Sequence, residues 1–163
     1  MSPDDIVTAA RSWLGTPYHH QAAVKGVGCD CLGLVRGVYE ELLGTPAEAP
    51  PPYSRDWAEA SATETMLEAA RRHFIEIDPT EARAGDVVIF RLRTGAMAKH
   101  AAILSNEALL PGNASVSGCR MIHAVEGTPV CEVHLNSWWR RRVAAAFRFP
   151  TRRLGHVQPL PQP

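Results

Sequence analysis

Cys31 closes the string Gly28-Cys29-Asp30-Cys31, and Leu34, Val35, Val38, Leu42 and Leu43 follow it at spacings of three and four. A cysteine at the first turn of an amphipathic helix is placed for nucleophilic chemistry. A thiol attacks as the thiolate, and the free N–H groups of a helix N-terminus, which carry about half an elementary positive charge, favour that form. The same amides can hold the oxyanion that develops on an attacked carbonyl. The periodicity predicts that Cys31 projects from the buried face of its helix, seated against the rest of the fold. Asp30 reads as the N-cap of that helix in preference to a catalytic acid.

Thiolate chemistry needs a base within hydrogen-bond reach and a third group that orients the base. Of the seven histidines, His100 opens one apolar run and His123 lies in another. Two inward-facing histidines on neighbouring strands, about 4.8 Å apart, can form a relay. Taken singly, Cys31 reads as a small buried hydrophobe, His100 as a strand-end histidine in water and His123 as a satisfied core histidine. Together they read as a triad. Cys29, Cys31, His100 and His123 also make a Cys₂His₂ count, but their spacing is not that of common fingers or ribbons, so catalysis is preferred to zinc. Cys29 reads as a packing thiol, and His19, His20, His73, His134 and His156 as surface or locally bonded residues. Trp138 and Trp139 are expected to divide into one core ring and one exposed ring.

The elements that must position these groups are legible in outline. Ser2-Pro3-Asp4-Asp5 is a capping signal for a first helix running to about Leu14, stopped by Gly15-Thr16-Pro17. The Cys31 helix ends at Gly44-Thr45-Pro46, and Ala58 to Arg72 has the composition of a short surface helix. Strands are expected over Val87 to Leu92, His100 to Leu104, Arg120 to Val125, Val130 to Leu135 and Val143 to Phe149. Asn106 to Gly118 reads as an inserted loop, of a kind that often carries binding contacts. Helices first and a mostly antiparallel sheet after argue for an α+β domain with the helices packed on one face. A single domain over residues 1–150 and a proline-rich tail over 151–163 are expected.

Composition excludes some classes. Seventeen basic residues balance seventeen acidic ones, so no global field favours nucleic acid. The basic cluster Arg140-Arg141-Arg142 reads as a solvated strand edge. No apolar run approaches the roughly 18 residues of a membrane span, and the acidic start Met1-Ser2-Pro3-Asp4-Asp5 lacks the basic region of a secretory signal. The expectation is synthesis in the cytoplasm, with another agent carrying the chain if it acts outside. The four cysteines are expected as free thiols. A tight turn at Gly127-Thr128 would set Cys131 opposite Ala124 and Cys119 opposite Asn136, which keeps those two cysteines apart.

Leu14-Gly15-Thr16-Pro17-Tyr18, Asp30-Cys31-Leu32-Gly33-Leu34-Val35, Gly85-Asp86-Val87-Val88-Ile89-Phe90, Lys99-His100-Ala101-Ala102-Ile103-Leu104 and Ile122-His123-Ala124 resemble, in that order, the motifs of NlpC-type cell-wall cysteine peptidases. The match extends from about residue 4 to 149. The Gly28-Cys29-Asp30-Cys31 doublet and the compact size most resemble the branch encoded beside phage tail genes or in gene transfer particles. The resemblance implies a papain-like fold and a thiolate that attacks an amide in peptidoglycan stem peptides, commonly between γ-D-glutamyl and a diamino acid. Cys31 then matches the nucleophile, His100 the general base and acid, and His123 the polar residue that orients it. Tyr18 matches a tyrosine that helps bind the oxyanion or the substrate carbonyl. No cofactor is implied. The implied partners are stem peptides and a phage-like tail hub or baseplate, and the implied place of action is the periplasm or wall of a target cell. The sequence departs from the pattern after Tyr18, where His19-His20-Gln21-Ala22-Ala23 replaces the usual glycine pair, and between His100 and His123, where the gap is long. Two other readings compete: a tail-tip docking component with weak or lost hydrolysis, and an amidase or acyltransferase on a small acyl substrate.

Overall fold

The computed structural model describes residues 1–48, 64–106 and 118–150. Helix α1 (Pro3–Arg11) starts on a reciprocal cap. The Asp5 amide donates to Ser2 Oγ at 3.2 Å and the Ser2 amide to Asp5 Oδ2 at 2.6 Å. The helix stops three residues short of the expected Leu14, because the chain tightens into turns with Trp13 N bonded to Ala10 O and Leu14 N to Arg11 O, both at 3.1 Å. That turn buries Trp13 and leaves Leu14 exposed. Trp13 lies so close on the next long helix that a Cβ at Gly37 would come within 2.1 Å of its ring.

Two short strands that the alternation does not reveal, β1 (Ala23–Val24) and β2 (Gly28–Cys29), form a hairpin before α2 (Cys31–Leu43). Gly44 ends α2 in the left-handed region, at φ 71°, with its amide on Glu40 O. Helix α3 (Thr65–His73) covers the described part of the helix expected over Ala58 to Arg72, and residues 58–63 lie outside the described residues. Then come β3 (Ile75–Ile77), a 3₁₀ turn (Pro79–Glu81), β4 (Val87–Phe90), β5 (His100–Asn106), β6 (Arg120–His123), β7 (Cys131–His134), α4 (Ser137–Arg140) and β8 (Val143–Arg148). Most of the loop expected over Asn106 to Gly118, and all of the tail over 151–163, lie outside the described residues.

The six strands from β3 to β8 form one antiparallel sheet in the order β3-β8-β4-β5-β6-β7. Alternate residues face its two sides, as pleating requires. Val87, Ile89, Ala101, Ile103, Ile122 and Phe147 meet Leu34, Val35 and Val38 of α2, while Val88, Phe90, Ala102, Leu104, Met121 and Ala146 form a second cluster with Leu135. Strand β4 is buried on both faces, which accounts for its unbroken apolar run. The architecture is the expected α+β fold, with helices against one face of an antiparallel sheet. Among the described residues no helix is long and apolar enough to cross a membrane.

The expected turn between β6 and β7 is corrected. His123 pairs with Cys131, and Leu135 N bonds Cys119 O, so the register is one residue away from Cys131 opposite Ala124. The connection is longer than a two-residue turn: Thr128 N closes on Val125 O and Gly127 takes φ 87°. A one-residue slip exchanges sheet faces, so this register changes which side chains of β7 face each side, while His123 is set on the face of His100 by the β5–β6 pairing of Ile103 with Ile122 and Leu104 with Met121. All four cysteines are free.

Candidate active site

The nucleophile end is built from one short stretch of chain. The segment before α2 lies parallel to β2, with Cys29 N on Pro17 O and His19 N on Cys29 O, both at 3.0 Å, and Tyr18 bridged to Cys29. Gly28 is required there, since a Cβ would fall 2.4 Å from the His19 ring. Tyr18 is thereby held half-buried against the main core, beside the strand that leads into Cys31. Asp30 caps α2, its Oδ1 accepting from Gly33 N at 2.8 Å, while its Oδ2 accepts from Gln21 N at 2.8 Å. One buried carboxylate thus ties the His19-to-Ala22 turn to the helix start. The turn presses on α2 so closely that a Cβ at Gly33 would lie 1.9 Å from Ala22 O. Where the family has its glycine pair, this chain places Gln21 at φ 65°.

Cys31 is the first residue of α2 and packs half-buried against the main core. The amides of Ala101, Leu32 and Cys31 itself approach the sulfur and favour the thiolate, as a helix start should. They do not win. Burial first, and the Asp30 charge second, push the thiol up to about 12, so the resting group is S–H. Cys29 is fully buried, and burial followed by the Asp30 charge raises it to about 11, consistent with a packing thiol.

The base end is assembled by the sheet. His100 is the first residue of β5, next to the Ala101 amide that meets the Cys31 sulfur, and His123 is the last of β6. Both are buried, and His100 Nε2 lies 3.1 Å from His123 Nδ1. That contact uses Nε2 of His100 and leaves its Nδ1 outside the pair. For Nδ1 to carry the lone pair, Nε2 must carry the proton and donate it to Nδ1 of a neutral His123. Burial, then the neighbouring His123, holds His100 down at about 3, and burial holds His123 at about 4. Both rings are therefore neutral at rest.

Aromatic rings case this pair. Trp139 lies 5.2 Å from His100 and 5.4 Å from His123 between ring centroids, and Phe90, the register partner of His100, is 5.9 Å away. Sequence reasoning missed Phe90 and Trp139 as parts of the site. A signal for Phe90 existed in the pairing of consecutive strands. Trp139 is delivered by α4, whose Asn136 cap accepts from Trp138 N at 3.0 Å and Trp139 N at 3.3 Å. The two tryptophans divide as expected: Trp139 packs on the second core cluster and Trp138 is exposed. His20 stands 3.8 Å from Asp30, and His134 lies 3.1 Å from an Arg120 nitrogen, outside the pair.

The structure sets a thiol at a helix start beside the Ala101 amide, and a buried pair of imidazoles begins at the neighbouring His100. Comparison with known proteins bears on the family and the fold. The NlpC/P60 family model matches residues 15–148. No curated protein sequence matches the chain. Among solved structures, the NlpC/p60 domain of the peptidoglycan hydrolase SagA superposes with a TM-score of 0.59 at 23% identity, covering 91% of this chain and 100% of that one. A lipoprotein-like NLP/P60 protein from Staphylococcus aureus superposes at 0.56 with 25% identity, covering 90% of this chain and 41% of that one. NlpC2 from Trichomonas vaginalis superposes at 0.59 with 19% identity, covering 91% and 48%. The chain thus spans one whole domain of the first and under half of the other two.

Proposed function

The chain belongs to the NlpC/P60 family, and from that membership we propose that it is a cell-wall hydrolase, a cysteine peptidase that cuts amide bonds in the peptide stems of peptidoglycan. The observation that carries this reading is the buried 3.1 Å contact between His100 and His123 at the opening of β5, where the Ala101 amide meets the Cys31 sulfur. Since thiol and imidazole both rest neutral, the proton moves as attack occurs. Cys31 S–H gives its proton to His100 Nδ1 while the sulfur bonds to the scissile carbonyl carbon. The imidazolium that forms keeps its Nε2–H on His123 Nδ1, which spreads the new charge without a buried carboxylate. The Tyr18 hydroxyl serves the oxyanion. His100 then protonates the leaving amine, the thioester remains, and a water deprotonated by His100 releases the acid.

The bond between γ-D-glutamyl and a diamino acid is the proposed target. Delivery by a phage-like tail, through contacts with hub or baseplate proteins to the wall of a target cell, is the proposed setting, supported by the likeness of the Gly28-to-Cys31 doublet to that branch. Cleavage of purified muropeptides followed by mass spectrometry tests the activity and identifies the bond. Cys31→Ala should lower the rate by at least about 10⁴-fold with the fold intact. Undiminished cleavage by that variant would remove the proposed nucleophile.

A further inference from the structure

The run Arg140-Arg141-Arg142 lies on α4 and the turn after it, not on a strand edge. Two of its members join two arginines from the far end of β4. Arg91, Arg93, Arg141 and Arg142 line one open pocket of about 430 Å³. Arg91 is paired with Glu64 and donates to Ala96 O at 3.1 Å. Arg142 donates to Leu92 O at 3.2 Å and to Trp138 O at 2.9 Å. Arg93 and Arg141 are exposed, and their side chains have no partner among the described residues. Four arginines line this pocket and, among the described residues, no carboxylate does, so their like charges repel and an anion bound there relieves that repulsion. The planar fork of arginine suits a carboxylate held by two parallel hydrogen bonds.

The pocket sits at the same end of the sheet as the histidine pair. Val143, in its wall, pairs with Phe90, and Phe90 pairs with His100. Two strand spacings of about 4.8 Å put the pocket roughly 10 Å from the base. An extended peptide covers that span in about three residues, at about 3.4 Å each. Trp139, against both histidines, and Trp138, which touches Trp139 and carries the Arg142 guanidinium 3.7 Å above its ring, pave the surface between.

We propose that this pocket is a carboxylate subsite: it receives a free carboxylate carried about three residues from the scissile amide, so the enzyme selects stems that end in a free acid there over stems amidated or cross-linked at that position. The proposal rests on the hydrolase reading above and deepens it. Two synthetic stem peptides, alike except for a carboxylate or a carboxamide at that position, test it at low salt. The wild type should show a kcat/KM at least about tenfold higher for the acid, a ratio that the Arg93→Gln, Arg141→Gln double variant brings close to one. The Arg93→Lys, Arg141→Lys pair should retain part of it, because the charge remains and the fork is lost. A wild-type ratio near one, or a ratio unchanged in the glutamine variant, overturns the subsite. Calorimetric binding of the same peptides to Cys31→Ala protein gives a reading independent of cleavage. Acid bound at least about tenfold tighter than amide, with the difference lost in the glutamine variants, upholds the subsite even if neither peptide is cut, and then the hydrolase reading fails alone. Tighter binding of a short poly(glycerol phosphate) than of the acid peptide overturns it in favour of a phosphate polymer.

Discussion

The two ends of the site are built in opposite ways. Residues 17 to 33 make the nucleophile end through contacts close in sequence: a bridge at Tyr18, a carboxylate shared between Gln21 and Gly33, and a helix that starts on Cys31. The base end draws Phe90, His100, His123 and Trp139 from four separate segments and holds them by strand register and ring packing. Both ends nevertheless arrive at one electrostatic condition. Burial keeps the thiol protonated and the imidazoles unprotonated, so neither holds a charge before substrate arrives. A local build and a long-range build thus yield a matched pair, and the proposed attack becomes concerted with proton transfer.

The largest test of that contrast is at His123, a residue placed by strand register and ring packing. His123→Ala removes the acceptor that fixes the His100 tautomer, and kcat/KM on muropeptides should fall by about 10³-fold. His123→Asn carries Oδ1 at the side-chain position of Nδ1 and should stay within about tenfold of wild type. Equal losses in the two variants would show that the ring's packing matters and its acceptor does not. Near-wild-type activity in both would detach His123 from the proposed machinery.

Acid stability measures the base end directly. Each histidine is held below its ordinary value by burial, so below about pH 6.5 the unfolded chain binds protons that the folded chain refuses. Stability is full above that value and is lost as pH falls toward 4 for His123 and 3 for His100. Between pH 6.5 and 5 the loss should reach about 2 kcal/mol for each histidine, seen as a falling urea midpoint at constant slope. The raised thiol acts at the other edge, where stability declines as pH climbs above about 9 toward 12. His123→Asn should remove one histidine's share of the acid loss, and an unchanged acid profile in that variant would contradict a buried neutral His123.

The same contrast explains what the sequence made legible. The cap at Asp30, the α2 periodicity and the five main strands depend on short-range pattern, and each is found within a few residues of its expected place. Strands of two or three residues, such as Ala23–Val24 and Ile75–Ile77, carry too little alternation to be seen. The β6–β7 register was misplaced by one residue because Gly127-Thr128 suggests a tight turn, while the actual connection spends more residues before closing. Trp139 over the histidines, and the gathering of Arg91, Arg93, Arg141 and Arg142, depend on which strands become neighbours, and no local signal records that. The thiol's resting state is not legible either. The helix-start amides are present, but pattern alone cannot weigh them against burial and the Asp30 charge.

The smallest expected effect separates the two tasks that Asp30 performs. Its oxygens accept from Gly33 N and Gln21 N, both at 2.8 Å, and its charge is the second cause of the raised Cys31 thiol. Asn at this position caps a helix about as well as Asp, but it has one acceptor oxygen, so its NH₂ must face the Gln21 or Gly33 amide, donor against donor. Asp30→Asn should therefore cost about 1 to 2 kcal/mol in urea unfolding. It also removes a negative charge from beside the sulfur, which lowers the thiol's proton affinity and raises the thiolate fraction at any pH below it. Alkylation of Cys31 by iodoacetamide should then run about threefold to tenfold faster than in the wild type. Lower stability with faster alkylation fits a carboxylate that secures the local end of the site while holding its nucleophile neutral. Lower stability with unchanged alkylation would assign Asp30 to the scaffold alone and leave burial as the whole cause of the protonated thiol.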